Sequence, residues 1–240
     1  EPYRRQRQMC IRDRYKSLLK STQNTRDLGG YNTSDGDITK KFSLIRSDEQ
    51  LNASKQDSSF LLAHKITTVI DLRTADDLLN KPNSLACVSG LNYYNYPIVE
   101  GSAVPNSAKE VPNSYLKIAV SPGMKNVFEC IANAPNGVIF NCSAGKDRSG
   151  VVSAILLLHA GVSDDDIVEN YVLTKHYIRK KLDYLRENTD LNMNIVTPCE
   201  DYMRKFLKKF CDEFGNTEKY FTRLGLSQKD IIKIKAKLLK

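Results

Sequence analysis

The stretch from residue 137 to residue 152 limits the possible folds of this 240-residue chain more than any other feature of its sequence. It opens with the apolar run Val-Ile-Phe at 138–140, which follows a Pro-Asn-Gly turn and predicts a short buried strand. The nearly all-apolar run at 151–158 predicts a buried helix that ends near Gly161. The residues between these runs must turn sharply. The sequence therefore predicts a buried strand that leads through a tight loop into the start of a helix.

The loop between the predicted strand and helix combines a cysteine with the features of an anion site. Ala144 and Gly145 are small enough for main-chain amides to point inward, and a ring of amides at a helix N-terminus binds a phosphate dianion. Cys142 would lie beneath that anion, close to Arg148 and the helix dipole, and such surroundings lower a cysteine pKa from about 8.5 towards roughly 3.5–7.5. We therefore expect a thiolate nucleophile at the floor of a phosphate-binding loop.

Arg148 would supply geometry as well as charge. A planar guanidinium grips two phosphate oxygens at once and offsets the charge that develops on them during phosphoryl transfer, whereas a lysine supplies charge alone. The hydroxyl of Ser149 can donate a hydrogen bond to the cysteine sulfur, which would ease its departure from a phosphocysteine intermediate. Taken singly, Cys142 is typical of a small core residue and Arg148 of a surface charge. Their spacing within this segment favours catalysis.

The same loop resembles that of a known family. Residues 142–150 resemble the signature loop of the cysteine-dependent protein tyrosine phosphatase superfamily, and the Gly-Lys-Asp-Arg sequence at 145–148 resembles its bacterial branch of tyrosine and dual-specificity enzymes. Three more segments match that branch in the expected order, and they lie at 24–31, 46–48 and 69–73. The resemblance implies a hydrolase of phosphate monoesters that acts through phosphocysteine. Its substrates would be phosphotyrosine and, in some members, phosphoserine, phosphothreonine or phosphoinositides.

The resemblance also implies a role for each matching residue. Cys142 matches the nucleophile and Arg148 the phosphate clamp, while Asp147 matches a loop aspartate that acts as general acid. Lys146 matches a lysine that is associated with broader substrate choice. The implied phosphate-binding loop consists of Ser143, Ala144, Gly145, Lys146, Asp147, Arg148 and Ser149.

Two positions leave the mechanism open. Related enzymes often take the general acid from a separate loop, and Glu100 in the segment 96–101 is such an alternative to Asp147, which we favour because it matches the branch motif. Family members usually have histidine before the nucleophile, where this chain has Asn141. A catalytically weak phosphate-binding module is therefore the alternative function, although a binder needs no thiolate. A third interpretation, redox or sulfur transfer through Cys142, lacks a nearby resolving cysteine.

Charged residues and histidines outside the loop have structural interpretations. Arg26 and Asp27 could form a buried ion pair that supports the site, or could contact substrate directly. Asp71 and Arg73 are expected to brace a strand end. The three histidines lie in helical patterns, and their spacing indicates no metal site, so we expect no cofactor.

Residues 9–13 resemble an in-frame translation of a transposon adapter that is used to prepare sequencing libraries, and the Arg-rich residues 1–8 lack hydrophobic periodicity. We therefore expect residues 1–14 to be non-native. The natural start, with any signal peptide, would then be missing. This segment contains five arginines and two acidic residues, so its net charge of +3 leaves +5 of the formal +8 for the remainder.

The basic segment at 229–240, which contains five lysines, is the remaining candidate for a binding surface. Its lysines alternate with isoleucine and leucine at helical spacing, which indicates a solvated helix face, so no nucleic-acid partner is expected. The apolar run at 151–158 is too short to span a bilayer. The six cysteines show neither disulfide nor zinc spacing, which favours a reducing, cytoplasmic location. The expected partner is a phosphorylated protein or phosphoinositide substrate, and the oligomeric state stays open.

Periodicity predicts helices at 54–65, 121–133, 164–176, 177–187, 200–214 and 227–239, and strands at 66–72 and 91–98 besides the one before Cys142. Strands alternating with helices predict an α/β fold with a central, mostly parallel sheet flanked by helices, which resembles the protein tyrosine phosphatase fold. The ligand site is expected at the carboxyl ends of the strands, where Cys142 falls. Residues 15–240 would form one phosphatase domain, in which helices from about residue 164 cover the pocket and continue to the C-terminus.

Overall fold

A computed structural model describes residues 16–239, so the prediction of a non-native segment at 1–14 lies outside the described residues. A five-stranded sheet forms the centre, and its strands are β1 (Arg26–Asp27), β2 (Leu44–Ser47), β3 (Ile66–Asp71), β4 (Asn92–Asn95) and β5 (Gly137–Asn141). They lie in the order β1-β2-β5-β3-β4. β1 is antiparallel to β2, and the other neighbours are parallel. The predicted α/β fold with a mostly parallel sheet is confirmed.

Helices cover both faces of the sheet. They are α1 (Lys55–Ala63), α2 (Ala75–Leu79), α3 (Val111–Ala119), α4 (Gly123–Asn133), α5 (Arg148–His159), α6 (Asp164–Tyr177), α7 (Arg179–Asn188), α8 (Met193–Val196), α9 (Glu200–Phe214), α10 (Thr217–Leu224) and α11 (Gln228–Leu238). Short 3-10 turns lie at Ser84–Cys87 and Ala108–Glu110. A small apolar cluster packs α1 on one face, and a larger cluster packs α3 to α6 and α8 to α11 on the other.

The position of β5 at the centre of the sheet explains why its sequence is an unbroken apolar run. Its side chains alternate between the two faces of the sheet. Val138 and Phe140 belong to the larger cluster, whereas Ile139 belongs to the smaller one. Because both faces are covered, every position of this strand must be apolar until Asn141, where the strand reaches the functional edge.

Most predicted elements exist, and several further ones were not predicted. The strand predicted at 91–98 is shorter, at Asn92–Asn95, although the amides of Tyr96 and Ile98 still donate to Asp71 O and Leu72 O of the neighbouring chain segment. The unpredicted elements are β1, β2, α2, α3, α8 and α10. In the described part of the chain, no helix has the length and apolar character needed to cross a membrane.

Candidate active site

β5 carries Cys142 to the carboxyl edge of the sheet, and α5 begins shortly afterwards at Arg148. The neighbouring parallel strands β2 and β3 end at the same edge, so the loops that follow them meet there. Cys142 is a free thiol, only 3% exposed, at the margin of the larger apolar cluster. The loop 142–147 therefore begins with a buried cysteine.

Gly145 permits the tight turn of this loop. Its φ is +64°, in the left-handed region that L side chains rarely adopt. A Cβ at this position would lie 2.7 Å from the carbonyl oxygen of Ser47 and 2.8 Å from Nδ2 of Asn24. Both the backbone conformation and the close neighbours therefore require glycine.

Three consecutive carbonyl groups of the loop are bound from outside. Lys181 Nζ donates to Ser143 O at 3.2 Å, Asn24 Nδ2 to Ala144 O at 3.0 Å, and Arg46 Nη2 to Gly145 O at 2.6 Å. In a planar trans peptide the N–H points away from the preceding C=O, so the amides of residues 144–146 point to the other side. Within residues 16–239, the amides of residues 143–147 have no hydrogen-bond acceptor. The loop thus presents unpaired main-chain donors, as an anion site requires.

Arg148 is held by a carboxylate that the sequence analysis did not identify. Its Nη1 donates to Asp77 Oδ2 at 2.9 Å and to Leu72 O at 3.3 Å, and its Nη2 donates to Ser143 Oγ at 3.0 Å. Burial lowers the pKa of Arg148, but the neighbouring charges of Cys142 and Asp77 outweigh burial and raise it. The guanidinium is therefore positioned by α2 from one side and by the loop from the other.

Arg46 lies beneath the loop and is fully buried. Its Nη1 donates to Asn170 Oδ1 and its Nη2 to Gly145 O, both at 2.6 Å, while its Nε has no partner among residues 16–239. Burial and the charge of Arg26 lower the pKa of Arg46, whereas the charge of Cys142 opposes that effect. Arg46 forms no ion pair in the described part of the chain, so its charge is available to an anion at the loop.

Arg26 and Asp27 do not pair with each other, so the buried ion pair, one of the two alternatives for these residues, is wrong. They are adjacent on β1, and successive side chains of a strand point to opposite faces. Arg26 donates to Asn24 Oδ1, to Asn170 O and to Thr174 Oγ1. Asp27 instead accepts from the main-chain amides of Gly29 and Phe42. Burial lowers the pKa of Arg26 to about 10.

Asp147, the N-cap residue of α5, accepts two hydrogen bonds at the same oxygen. Tyr115 Oη donates to its Oδ1 at 2.6 Å, and Lys146 Nζ donates to it at 2.8 Å. Burial raises the pKa of Asp147, but Lys146, the bond from Tyr115 and the charge of Arg148 together lower it. The side chain is 39% exposed, so an incoming group can reach this carboxylate.

Asn141 belongs to a polar network below the loop. Its Oδ1 accepts from Asn83 Nδ2 at 3.2 Å, and the same amide donates to Asp71 Oδ2 at 2.8 Å. Asp71 pairs with Arg73 at 2.8 Å, which confirms the expected brace at the end of β3. Asn141 Nδ2 is buried and has no partner among the described residues. A donor thus remains unused directly before Cys142.

Ser149, the expected donor to the cysteine sulfur, and Glu100, the less favoured candidate for the general acid, both bond to other groups. Ser149 Oγ donates to the carbonyl oxygen of Ser47 at 3.3 Å instead of to the cysteine sulfur, because β2 ends beside the first turn of α5. Glu100 accepts a hydrogen bond from Ser121, which lowers its pKa, and it has no contact with the loop residues. Within residues 16–239 no cluster of histidine, cysteine or carboxylate side chains could hold a metal ion.

Comparisons with known proteins identify the family. The family model described as tyrosine phosphatase family matches residues 18–240. The chain is 27% identical over 216 residues to a tyrosine-protein phosphatase of Nostoc commune, a match that spans 81% of this chain and 74% of that protein. It is 28% identical over 181 residues to a putative tyrosine-protein phosphatase of Cupriavidus necator, with 68% of this chain and 64% of that protein covered.

Solved structures give weaker likenesses. A human tyrosine phosphatase-like serine/threonine/tyrosine-interacting protein is 14% identical, with a TM-score of 0.38, over 72% of this chain and 97% of that chain. The assignment of an α/β fold follows from the sheet order and the helices alone.

Proposed function

This chain belongs to the tyrosine phosphatase family, and we propose that it hydrolyses phosphate monoesters, phosphotyrosine above all, through a phosphocysteine intermediate on Cys142. One juxtaposition carries the proposal. A buried cysteine lies in a loop of unpaired main-chain amides, and that loop ends at a guanidinium which Asp77 already orients. These groups together match the charge and shape of a phosphate dianion.

In the first step the sulfur of Cys142 attacks phosphorus and forms the S–P bond. The ester P–O bond breaks, and its electron pair goes to the leaving oxygen, which takes a proton from the carboxyl group of Asp147. The loop amides and Arg148 hold the three equatorial oxygens, whose charge they stabilise better in the transition state than water would.

In the second step a water molecule attacks the phosphorus of phosphocysteine. The Asp147 carboxylate accepts the proton of that water, the S–P bond breaks, and inorganic phosphate and the Cys142 thiolate are released. Arg46 supports both steps without touching substrate, because its charge lies under the loop and its bond fixes the carbonyl of Gly145. Arg46 is therefore a positioning residue.

Asp147 must be protonated to act as general acid, and the protein groups around it favour the carboxylate. Lys146 is the strongest of the groups that lower its pKa. The negative charge of a bound phosphate dianion would offset the effect of Lys146 and Arg148 on the pKa of Asp147. That pKa would rise, and Asp147 would take up a proton. We therefore propose that substrate binding itself prepares the acid, with highest turnover on the acidic side of neutral pH.

Substrate range is a separate part of the proposal. Lys146 is almost buried and lies 2.8 Å from the carboxylate of Asp147. Lys181 lies at the opposite end of the loop with a third of its side chain exposed, and its carboxylate partner, Glu49, is farther away at 3.8 Å. Lys181 is thus the group placed to contact a second negative charge on a substrate, as in a phosphoinositide or an acidic phosphopeptide. A panel of phosphotyrosine, phosphoserine and phosphothreonine peptides and phosphoinositides, measured with wild type and Lys181→Ala, tests this.

Turnover of an aryl phosphate tests the mechanism. Cys142→Ser should abolish it, whereas Cys199→Ser, a matched change of an exposed thiol, should leave it unchanged. If Cys142→Ser turned over substrate at the wild-type rate, Cys142 could not be the nucleophile. Tight binding of phosphate with no turnover by wild type would favour the alternative, a catalytically weak phosphate-binding module in which Asn141 replaces the usual histidine.

The choice of general acid has its own test. Asp147→Asn should slow hydrolysis of esters with poor leaving groups much more than that of p-nitrophenyl phosphate, which needs little protonation. Glu100→Gln should leave both rates unchanged. The reverse pattern would transfer the role to Glu100.

A further inference from the structure

A basic cavity of about 420 Å³ lies at the edge of the sheet opposite to Cys142. Its wall includes the residues just before β2, β3 and β5, whereas Cys142 follows the carboxyl end of β5. The remaining wall comes from the ends of α4 and α11. Five lysines and a histidine line the cavity, and they are Lys40, Lys41, Lys65, Lys233, Lys237 and His64.

The positive charge of this cavity is not neutralised by its own wall. No carboxylate is among the described residues that line it. Lys40, Lys41 and Lys65 form no ion pair within residues 16–239, and the carboxylate nearest to Lys233 is 3.9 Å away at Asp230. Asp27, which does not line the cavity, interacts electrostatically with Lys41 and His64, and its two oxygens accept main-chain amides. Several like charges therefore converge on one concave site.

Lys237 is held in the cavity wall by two hydrogen bonds. Its ammonium donates to the carbonyl oxygens of Ala134 and Asn136, both at 2.8 Å. Burial and the charge of Lys40 lower the pKa of Lys237, so an anion in the cavity would relieve an unfavourable interaction. An ammonium has three N–H groups, and two are used by these carbonyls.

The backbone of the cavity wall is also unusual. Phe42 and Lys65 are the two residues other than glycine with positive φ in the described part of the chain, at +57° and +56°. Lys65 follows the C-cap of α1, a position where glycine is favoured. Strained conformations of this kind concentrate at functional sites. Lys65 thus places a charged side chain in the cavity wall at a position where the backbone conformation alone favours glycine.

We propose that this cavity binds a small molecule that carries two or more phosphoryl groups. Its volume lies in the range of small-molecule pockets, which is roughly 300–1,000 Å³. Clustered lysines bind phosphate as point charges without fixed geometry, so a flexible polyphosphate matches five of them better than a single phosphate does. A concave site between three strand ends also fits a compact ligand better than the extended backbone of a nucleic acid.

Calorimetric titration with inorganic tripolyphosphate tests the proposal on the full chain. Arg148→Ala removes the phosphate clamp of the catalytic loop, and wild type saturated with orthovanadate serves the same purpose if that variant is unstable. Either protein should still bind tripolyphosphate at one site. The variant with both Lys41→Glu and Lys65→Glu, two exposed positions, should bind about tenfold more weakly or worse, because two attractive charges become repulsive.

Matched controls separate a site from general attraction. A variant with Lys117→Glu and Lys209→Glu changes the net charge equally on exposed helix positions away from the cavity and should bind as wild type does. Both double variants should hydrolyse an aryl phosphate at the wild-type rate. Equal weakening in the two double variants, or loss of all binding when the catalytic loop is blocked, would overturn the proposal.

Parallel titrations distinguish a small soluble polyphosphate from a lipid or a nucleic acid as the ligand. ATP and tripolyphosphate in solution should compete for the cavity. Binding to vesicles of anionic lipid, or to a single-stranded oligonucleotide, with no binding of tripolyphosphate would assign the surface to a membrane or a nucleic acid and would reject a small-molecule site.

Discussion

Replacement of Arg46 by methionine should leave the fold almost as stable as before and yet remove most of the activity. Two contributions to the free energy of unfolding oppose each other. The variant loses two hydrogen bonds from a charged donor, each worth roughly 1.5–3 kcal/mol. It also no longer buries a guanidinium that has no carboxylate partner, and such burial costs several kcal/mol per ion. We expect a net change within about 2 kcal/mol, since the two contributions are of similar size.

The effect on turnover should be large because the loop depends on Arg46. The carbonyl of Gly145 would keep only the longer bond from Asn24, at 3.2 Å. A displacement of about 1 Å in a catalytic group costs about 100-fold in rate, and we expect kcat/KM for an aryl phosphate to fall by at least that factor.

A double-mutant cycle with Cys142 isolates the electrostatic interaction between Arg46 and Cys142. Chemical denaturation is measured for wild type, Arg46→Met, Cys142→Ser and the double variant. If Arg46 and the thiolate attract each other, Arg46→Met should favour stability more in the Cys142→Ser background, by about 0.5–3 kcal/mol. Arg223→Met, at an exposed position, should show no coupling. Equal stability changes in both backgrounds, or wild-type kcat/KM in Arg46→Met, would refute the reasoning.

Three further variants test the loop and its supports. Lys146→Met removes the main group that lowers the pKa of Asp147, so the pKa rises and the alkaline limb of the kcat profile, which reports the enzyme–substrate complex, should move to higher pH; an unmoved limb would argue against Asp147 as the acid. Asp77→Asn leaves Arg148 without its carboxylate, so KM for an aryl phosphate should rise with little change in the melting temperature; an unchanged KM would show that Asp77 does not position the clamp. Gly145→Ala places a Cβ 2.7 Å from Ser47 O, and turnover should fall by about 100-fold or more; wild-type turnover would mean that the loop works in another conformation.

The elements with a clear period could be predicted from the sequence. The amphipathic pattern of α9 gave its bounds, Glu200–Phe214, without error. The apolar runs gave β3 and β5, because a sheet covered on both faces needs them. The strand β2 was missed because it has four residues and one of them is the charged Arg46, which no apolar pattern admits. The helix α3 was missed although Pro112 in its first turn is a recognised start signal.

The loop itself could be predicted, but its supports could not. Residues 142–149 are contiguous, so their order in the sequence was enough to predict a loop between β5 and α5 with unpaired amides. Asp77 and Tyr115 lie 71 and 32 residues before the loop residues that they contact, and only the fold brings them there. Thr74 and Asp77 have the residue types and spacing of a capping box, which predicts only the start of a helix. The second contact of Asp77, with Arg148, is not evident from that pattern.

Covalent trapping of the intermediate tests the central claim most directly. The protein is mixed with an aryl phosphate labelled in its phosphoryl group, quenched rapidly, digested and examined by mass spectrometry. We predict one phosphoryl group on the sulfur of Cys142 in wild type, a higher amount of it in Asp147→Asn with p-nitrophenyl phosphate, and none in Cys142→Ser. Full turnover with no phosphoryl group on Cys142, or label on another residue, would contradict the account.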